Sequence, residues 1–198
     1  MKSLPYRYPR IYEAGLRLLH GKVLAQRYRK IAEEIGQGKT VLDLGCGTGL
    51  LANYLQSCAY IGWDLNRSFI RYCRGKGLNV QEKNIVYHEE YPECDYIVFC
   101  DTLHHIVPHD ESTLKAARLK ADVIAVEPCS TRHLPQALLL LYDQLIGDSD
   151  GFNSYEDRMR WKYDGPGLRG KFVRLGACHT EPIDGSLFAI FKKSKGNH

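Results

Sequence analysis

Four short apolar stretches, at residues 40–44 (TVLDL), 59–63 (AYIGW), 95–100 (DYIVFC) and 122–126 (DVIAV), alternate with segments that suit helices at 50–57, 66–75 and 111–120. Apolar runs of this length read as strands buried on both faces. Neighbouring parallel strands need a crossover connection, so strands and helices taking turns at this spacing require a mostly parallel sheet with helices on both faces. Residues 78–81 are a weaker strand candidate between the second and third stretches. The chain end, ACHTEPIDGSLFAIFKKS, reads as two strands joined at Asp184-Gly185-Ser186, an antiparallel hairpin on the sheet edge.

The 198 residues suffice for a single domain whose core needs neither disulfide nor metal. Residues 1–38 form an N-terminal helical segment. Its apolar residues from Leu16 to Ile35 recur at spacings of three to five, which suits one long helix or a helix pair, with Gly15 and Gly21 as weak points. Gly36-Gln37-Gly38 supplies the stop. Beyond the fifth strand, residues 131–165 are expected to be a helical insertion with helices at 134–146 and 154–163, followed by a helix at 168–175. Seven cysteines without a CxxC pair, and an N-terminus without a signal-type apolar stretch, favour reduced thiols, a cytoplasmic location and no zinc. The longest apolar runs are too short to span a bilayer. A formal charge of +4 is too small to demand nucleic acid.

The turn after the first strand is Gly45-Cys46-Gly47-Thr48-Gly49. In an open parallel sheet ligands bind beyond the carboxyl ends of the strands, so this turn is the place to look. A dinucleotide fingerprint would put its third glycine at position 50, which is Leu50, and no Gly-Lys-Ser/Thr follows to make a phosphate loop. The turn therefore suits a nucleoside whose other end is a small zwitterion. Asp64, 21 residues after Asp43, ends the second strand, where a carboxylate can accept hydrogen bonds from ribose hydroxyls.

DLGCGTG, GWDLN and CDYIVFCDTLHHI together resemble the signature segments of class I S-adenosylmethionine-dependent methyltransferases, over about residues 40–126. The resemblance implies a Rossmann-like sheet of seven strands with the last inserted antiparallel. It implies S-adenosyl-L-methionine as cofactor, with Asp43, Gly45, Cys46, Gly47, Thr48 and Gly49 around its methionine part. Asp64 would hold the ribose with Leu65 as a further cofactor-binding residue, and Asn84 and Ile85 would meet the adenine, Asn84 through its carbonyl. Cys100 and Asp101 would end the fourth strand beside the sulfonium.

Methyl transfer from a sulfonium needs positioning above all, and a general base only where the nucleophile arrives protonated. Candidates for that base or for acceptor contacts are His104, His105 and Glu127. His104 and His105 are read foremost as packing residues, and Glu127 equally as a cap of the next turn. His105 and His109 are not read as metal ligands, because Pro108 interrupts any helix that would present both. Cys129, in Glu127-Pro128-Cys129, is read as a turn residue in preference to a covalent nucleophile. Tyr12, Tyr155 and Arg158 are the acceptor-side candidates.

The expected activity is methyl transfer to a small or lipid-like molecule by a monomer or homodimer. RNA is the second choice, resting on Arg158, Arg160, Lys162, Arg169, Lys171 and Arg174, which would make binding salt-sensitive. A third reading is a non-catalytic cofactor-binding subunit, with helix 134–146 as its interface.

Overall fold

A computed structural model describes residues 7–129 and 160–194. The expected helices at 134–146 and most of 154–163, with Tyr155 and Arg158, lie outside the described residues. The sheet has seven strands: β1 (Thr40–Leu44), β2 (Ala59–Asp64), β3 (Val80–Glu82), β4 (Tyr96–Cys100), β5 (Asp122–Pro128), β6 (His179–Ile183) and β7 (Ser186–Phe191). Their order is β3-β2-β1-β4-β5-β7-β6. β1 to β5 run parallel, while β7 is inserted antiparallel between β5 and β6. The hairpin turns at Asp184 and Gly185, both with positive φ, the two-residue geometry whose twist matches that of the strands.

The helices are α1 (Pro9–Ile35), α2 (Arg67–Gly75), α3 (Asp110–Lys120) and α4 (Gly165–Arg174). Residues 9–35 make one helix rather than a pair, and among the described residues nothing lies within 4 Å of where a Cβ would stand at Gly15 or Gly21. Asn66 caps α2 by accepting the Ser68 N–H, and Asp164 caps α4 by accepting that of Gly167. Alternation along the strands divides the core. Ile31 and Ile35 of α1 pack with Val41, Val98 and Ile124 on one face, and Leu114 of α3 and Phe172 of α4 pack with Leu42, Ile97 and Val123 on the other.

One expected helix and the end of another are corrected. Residues 50–57 hold only a 3₁₀ turn, Leu51–Tyr54. Leu51, Ala52 and Leu55 are buried, and the Leu55 and Cys58 N–H groups bond three residues back, so the chain descends directly to β2. Residues 161–163 are not helical either. Trp161 and Tyr163 both lie against the Lys171 ammonium, at 4.9 and 4.6 Å from their ring centres. Positions i and i+2 do not share a side of a helix, so this contact excludes the helical form, and the Lys162 N–H bonds the Arg160 carbonyl at 3.0 Å.

Candidate functional site

β1 lies between β2 and β4, so the strand order reverses beside the carboxyl end of β1, and the glycine turn sits there. Gly45, Gly47 and Gly49 all have left-handed backbone. At Gly45 a Cβ would fall 2.7 Å from the Thr102 side chain, and at Gly49 one would fall 2.5 Å from Leu78, so both positions exclude any side chain by space as well as by φ. Against Gly47 the nearest such neighbour is the Tyr12 ring of α1, at 4.0 Å. Tyr12 in turn packs on Phe69 of α2, ring centres 4.9 Å apart.

The turn is fastened to β2. The Gly45 and Cys46 N–H groups donate to the Trp63 carbonyl at 2.8 and 3.0 Å. Asp64 accepts the Gly47 N–H at 2.9 Å through one oxygen and the Asn66 N–H at 2.7 Å through the other. The two hydrogen bonds orient the carboxylate at the tip of β2, where ribose hydroxyls could meet it. Leu65 is half-buried beside it.

Asp43 lies buried in β1, and the Tyr60 hydroxyl donates to it at 2.7 Å. Burial pushes its carboxyl up to about 7, against the pull of that hydrogen bond. Among the described residues the Thr48 hydroxyl is buried without a hydrogen-bond partner. A buried polar atom in that condition, beside a left-handed cradle and a carboxylate at a strand tip, fits a ligand with an ammonium, a carboxylate and a ribose.

Asn84 turns its carbonyl onto the Val86 N–H at 3.2 Å, which leaves one lone pair for an adenine amino group. Ile85 is buried, and its carbonyl accepts the Tyr91 hydroxyl. Cys100 ends β4, and burial holds its thiol well above the usual range. Asp101 follows with φ 54° and accepts two hydrogen bonds from the Arg27 guanidinium, at 2.8 and 3.0 Å. Burial nonetheless outweighs the guanidinium and holds the Asp101 carboxyl above its ordinary value.

Glu127 is fully buried in β5, and both oxygens are engaged. One accepts the Thr102 and Leu103 N–H groups at 2.8 and 2.7 Å, and the other meets His104 Nδ1 at 2.8 Å. The sequence left Glu127 between an acceptor contact and a cap of the turn that follows it; its partners lie instead after β4, in and before the 3₁₀ turn Leu103–His105. A carboxylate only accepts, so it fixes Nδ1 as the proton-bearing nitrogen. His105 packs on His104 with ring centres 4.1 Å apart and planes tilted by 40°, and the Trp161 ring centre lies 6.2 Å from that of His104. The Trp161 indole donates to the Pro128 carbonyl at 3.0 Å, so the chain leaves β5 and returns before α4 at one place, next to His104. Burial raises the Cys129 thiol, and its N–H donates to Gly185, as suits a turn residue.

Sequence reasoning missed Arg27, Glu13 and Lys76. Lys76 donates to Glu13 at 2.9 Å and to the Thr48 carbonyl at 3.1 Å, while Tyr72 donates to the same Glu13 at 3.1 Å. The start of α1 is thereby tied both to α2 and to the glycine turn. Of the basic set at 158–174, Lys171 is buried against Asp110, and Arg174, itself exposed, pairs with Glu111 at 3.1 Å.

The model of the methyltransferase domain family matches residues 16–160. No curated protein sequence matches the chain. Among solved structures, an O-methyltransferase family protein from Burkholderia thailandensis is similar at 16% identity and TM-score 0.62, over 96% of this chain and 60% of that one, so the chain spans less than two thirds of that relative. Magnesium protoporphyrin IX methyltransferase from Synechocystis PCC 6803 with bound SAH is similar at 16% identity and TM-score 0.59, over 86% of this chain and 84% of that one. A chain in the complex between the Haloferax volcanii Trm112 methyltransferase activator and the putative methyltransferase reaches TM-score 0.65 at 11% identity, over 98% of this chain and 100% of that one. With a family model covering most of its length and this strand order, the chain belongs to the methyltransferase domain family and has the class I S-adenosylmethionine-dependent methyltransferase fold.

Proposed function

We propose that the chain transfers a methyl group from S-adenosylmethionine to a small or lipid-like acceptor. The observation that carries the donor is the glycine turn, held in left-handed backbone and bonded through the Gly47 N–H to Asp64 at the tip of β2. In this reading Gly45, Gly47 and Gly49 approach the methionine part, and Asp43 faces its ammonium. Asp64 holds the ribose, Asn84 and Ile85 the adenine, and Cys100 and Asp101 border the sulfonium.

The acceptor enters beside His104, where the ends of the 130–159 segment meet at Pro128 and Trp161. Glu127 is the positioning residue. By holding Nδ1–H it sets Nε2 on the far side of the ring as the acceptor of a proton from an incoming hydroxyl or amine, and its charge stabilises the imidazolium that results. Tyr12 covers Gly47 from α1. Tyr155 and Arg158 are further acceptor contacts in this proposal. RNA is disfavoured because Lys171 and Arg174, part of the basic set, are spent on Asp110 and Glu111.

Purified protein, labelled S-adenosylmethionine and a fractionated cell extract test the reading. Label in the small-molecule or lipid fraction is expected; label in RNA alone would overturn it. With an acceptor in hand, Glu127→Gln should lower kcat and move the acidic limb of the rate to lower pH, since a ring that must be neutral to act as base loses the carboxylate that favours its protonated form. An unchanged profile would leave Glu127 a cap only.

A further inference from the structure

Helix α1 is apolar on two sides. Its inner side carries Leu24 and Ile31 into the core and sets Tyr12 over Gly47. On the outer side Ile11 and Leu18, two turns apart, are 52% and 86% exposed, and Tyr8 at the helix start is 54% exposed. Ala14 lies exposed between them. Side chains of this size left in water on one face of a well-anchored helix are not needed for the fold.

The charges around this stripe have one sign. Arg7, Arg10, Arg17, Lys22 and Arg29 are all exposed. Between residues 7 and 29 the single carboxylate is Glu13, which is buried, bound by Lys76 and Tyr72, and 3.9 Å from the largely exposed Arg17 guanidinium. The exposed surface of this stretch therefore pairs Ile, Leu and Tyr with cations and offers no anion.

We infer that the outer face of α1 lies on an anionic lipid surface. A helix resting in the interface plane seats its apolar side chains at the headgroup–acyl boundary and its Arg and Lys among the phosphates, which uses both halves of this pattern. A polynucleotide would reward the cations and give nothing for Leu18 and Ile11. A second copy packed across a two-fold axis would bring five like charges against their own copies. None of the described helices is long and apolar enough to cross a membrane, which agrees with a helix that rests on the surface. The helix that meets the lipid also roofs the glycine turn, so a greasy acceptor would reach the site from the surface the protein sits on. That last step rests on the proposed methyl transfer; the surface contact does not.

The test is flotation of the full chain with vesicles of phosphatidylcholine, alone or mixed with phosphatidylglycerol. Binding is expected with the anionic vesicles only, weakening as salt shortens the Debye length. Leu18→Asp and Ile11→Asp should each lower vesicle affinity on the order of ten-fold while S-adenosylhomocysteine affinity stays unchanged. No flotation at low salt would overturn the inference. So would RNA binding that Leu18→Asp leaves intact with no vesicle binding, or a dimer in sedimentation that Leu18→Asp dissociates with no vesicle binding. Flotation without label in lipid would sustain the surface contact and remove the lipid-like acceptor; label in detergent-dispersed lipid without flotation would do the reverse.

Discussion

Asp43→Asn should make the cofactor-free protein more stable at neutral pH, and the gain should depend on pH in a defined direction. The folded carboxyl sits near 7 against an ordinary 3.8, because burial disfavours its charged form more than the Tyr60 hydroxyl favours it. A group raised in this way is protonated in both states below about 3.8 and carries no penalty there. As pH rises the unfolded chain ionises first, stability falls, and the loss is complete above about 7. A gap of about 3 pH units at about 1.4 kcal/mol each sets a ceiling of about 4 kcal/mol, a large share of the 5–15 kcal/mol of a typical domain.

Asn keeps a carbonyl for the Tyr60 hydroxyl and cannot ionise, so its advantage should grow by about 2.5 kcal/mol between pH 5 and pH 8. Urea titrations followed by tryptophan fluorescence measure it, because Trp63 and Trp161 are both buried. An advantage that stays constant across that range, or a wild type that is the more stable at pH 8, would refute the argument. The same carboxylate has a cost and a use. An ammonium placed against it holds it ionised, so S-adenosylhomocysteine binding near pH 6 should release a proton from wild type and not from Asp43→Asn. Calorimetry in two buffers of different ionisation enthalpy detects that release.

Asp64→Ala removes both the oriented carboxylate and the partner of the Gly47 N–H; a loss of about 1.5–3 kcal/mol in S-adenosylhomocysteine affinity, roughly ten- to hundred-fold, is expected by titration. Equal affinity would reduce Asp64 to a loop fastener. Gly45→Ala meets Thr102 at 2.7 Å in a left-handed position and should cost about 2–4 kcal/mol in the urea midpoint, whereas an unmoved midpoint would mean that the turn relaxes freely. Lys171→Met leaves Asp110 buried without its cation and should cost about 3–5 kcal/mol. Adding Asp110→Leu should recover most of that, and a double variant as unstable as the single would show that the charge of Asp110 is not what is left stranded.

The strands were legible because a strand buried on both faces is apolar at every step: 40–44 was read to the residue, and β4 and β5 to within two. β3 was faint because at the sheet edge only Val80 of its three residues is buried. The glycine turn and Asp64 could be found because glycine spacing and a carboxylate at a strand tip are local facts. Glu127 stayed ambiguous because its partners, Thr102 to His104, are 23 to 25 residues away and a lone carboxylate after a strand announces nothing about them. The 3₁₀ turn and the non-helical 161–163 segment follow from tertiary contacts that override helical spacing.

Arg27 and Lys171 show that part of the long-range chemistry did leave a local trace. Arg27 falls on the inner stripe of α1 between Leu24 and Ile31. Lys171 falls on that of α4 with Leu168, Phe172 and Leu175, all three buried. A cation at an apolar position of a helical stripe has to meet a carboxylate inside or lose its charge, because burying it alone is too costly. The stripe therefore predicts an anion without saying which. The two anions turn out to be Asp101, 74 residues from Arg27, and Asp110, 61 residues from Lys171. They bracket the chain that leaves β4, so helices from opposite ends of the sequence each send one cation to the same exit, from opposite faces of the sheet. Residues 101–110 carry His104 and border the sulfonium in the proposed reaction. On this argument the two ion pairs hold the acceptor side of the site in place, and disrupting either should disturb methyl transfer before it disturbs cofactor binding at the glycine turn.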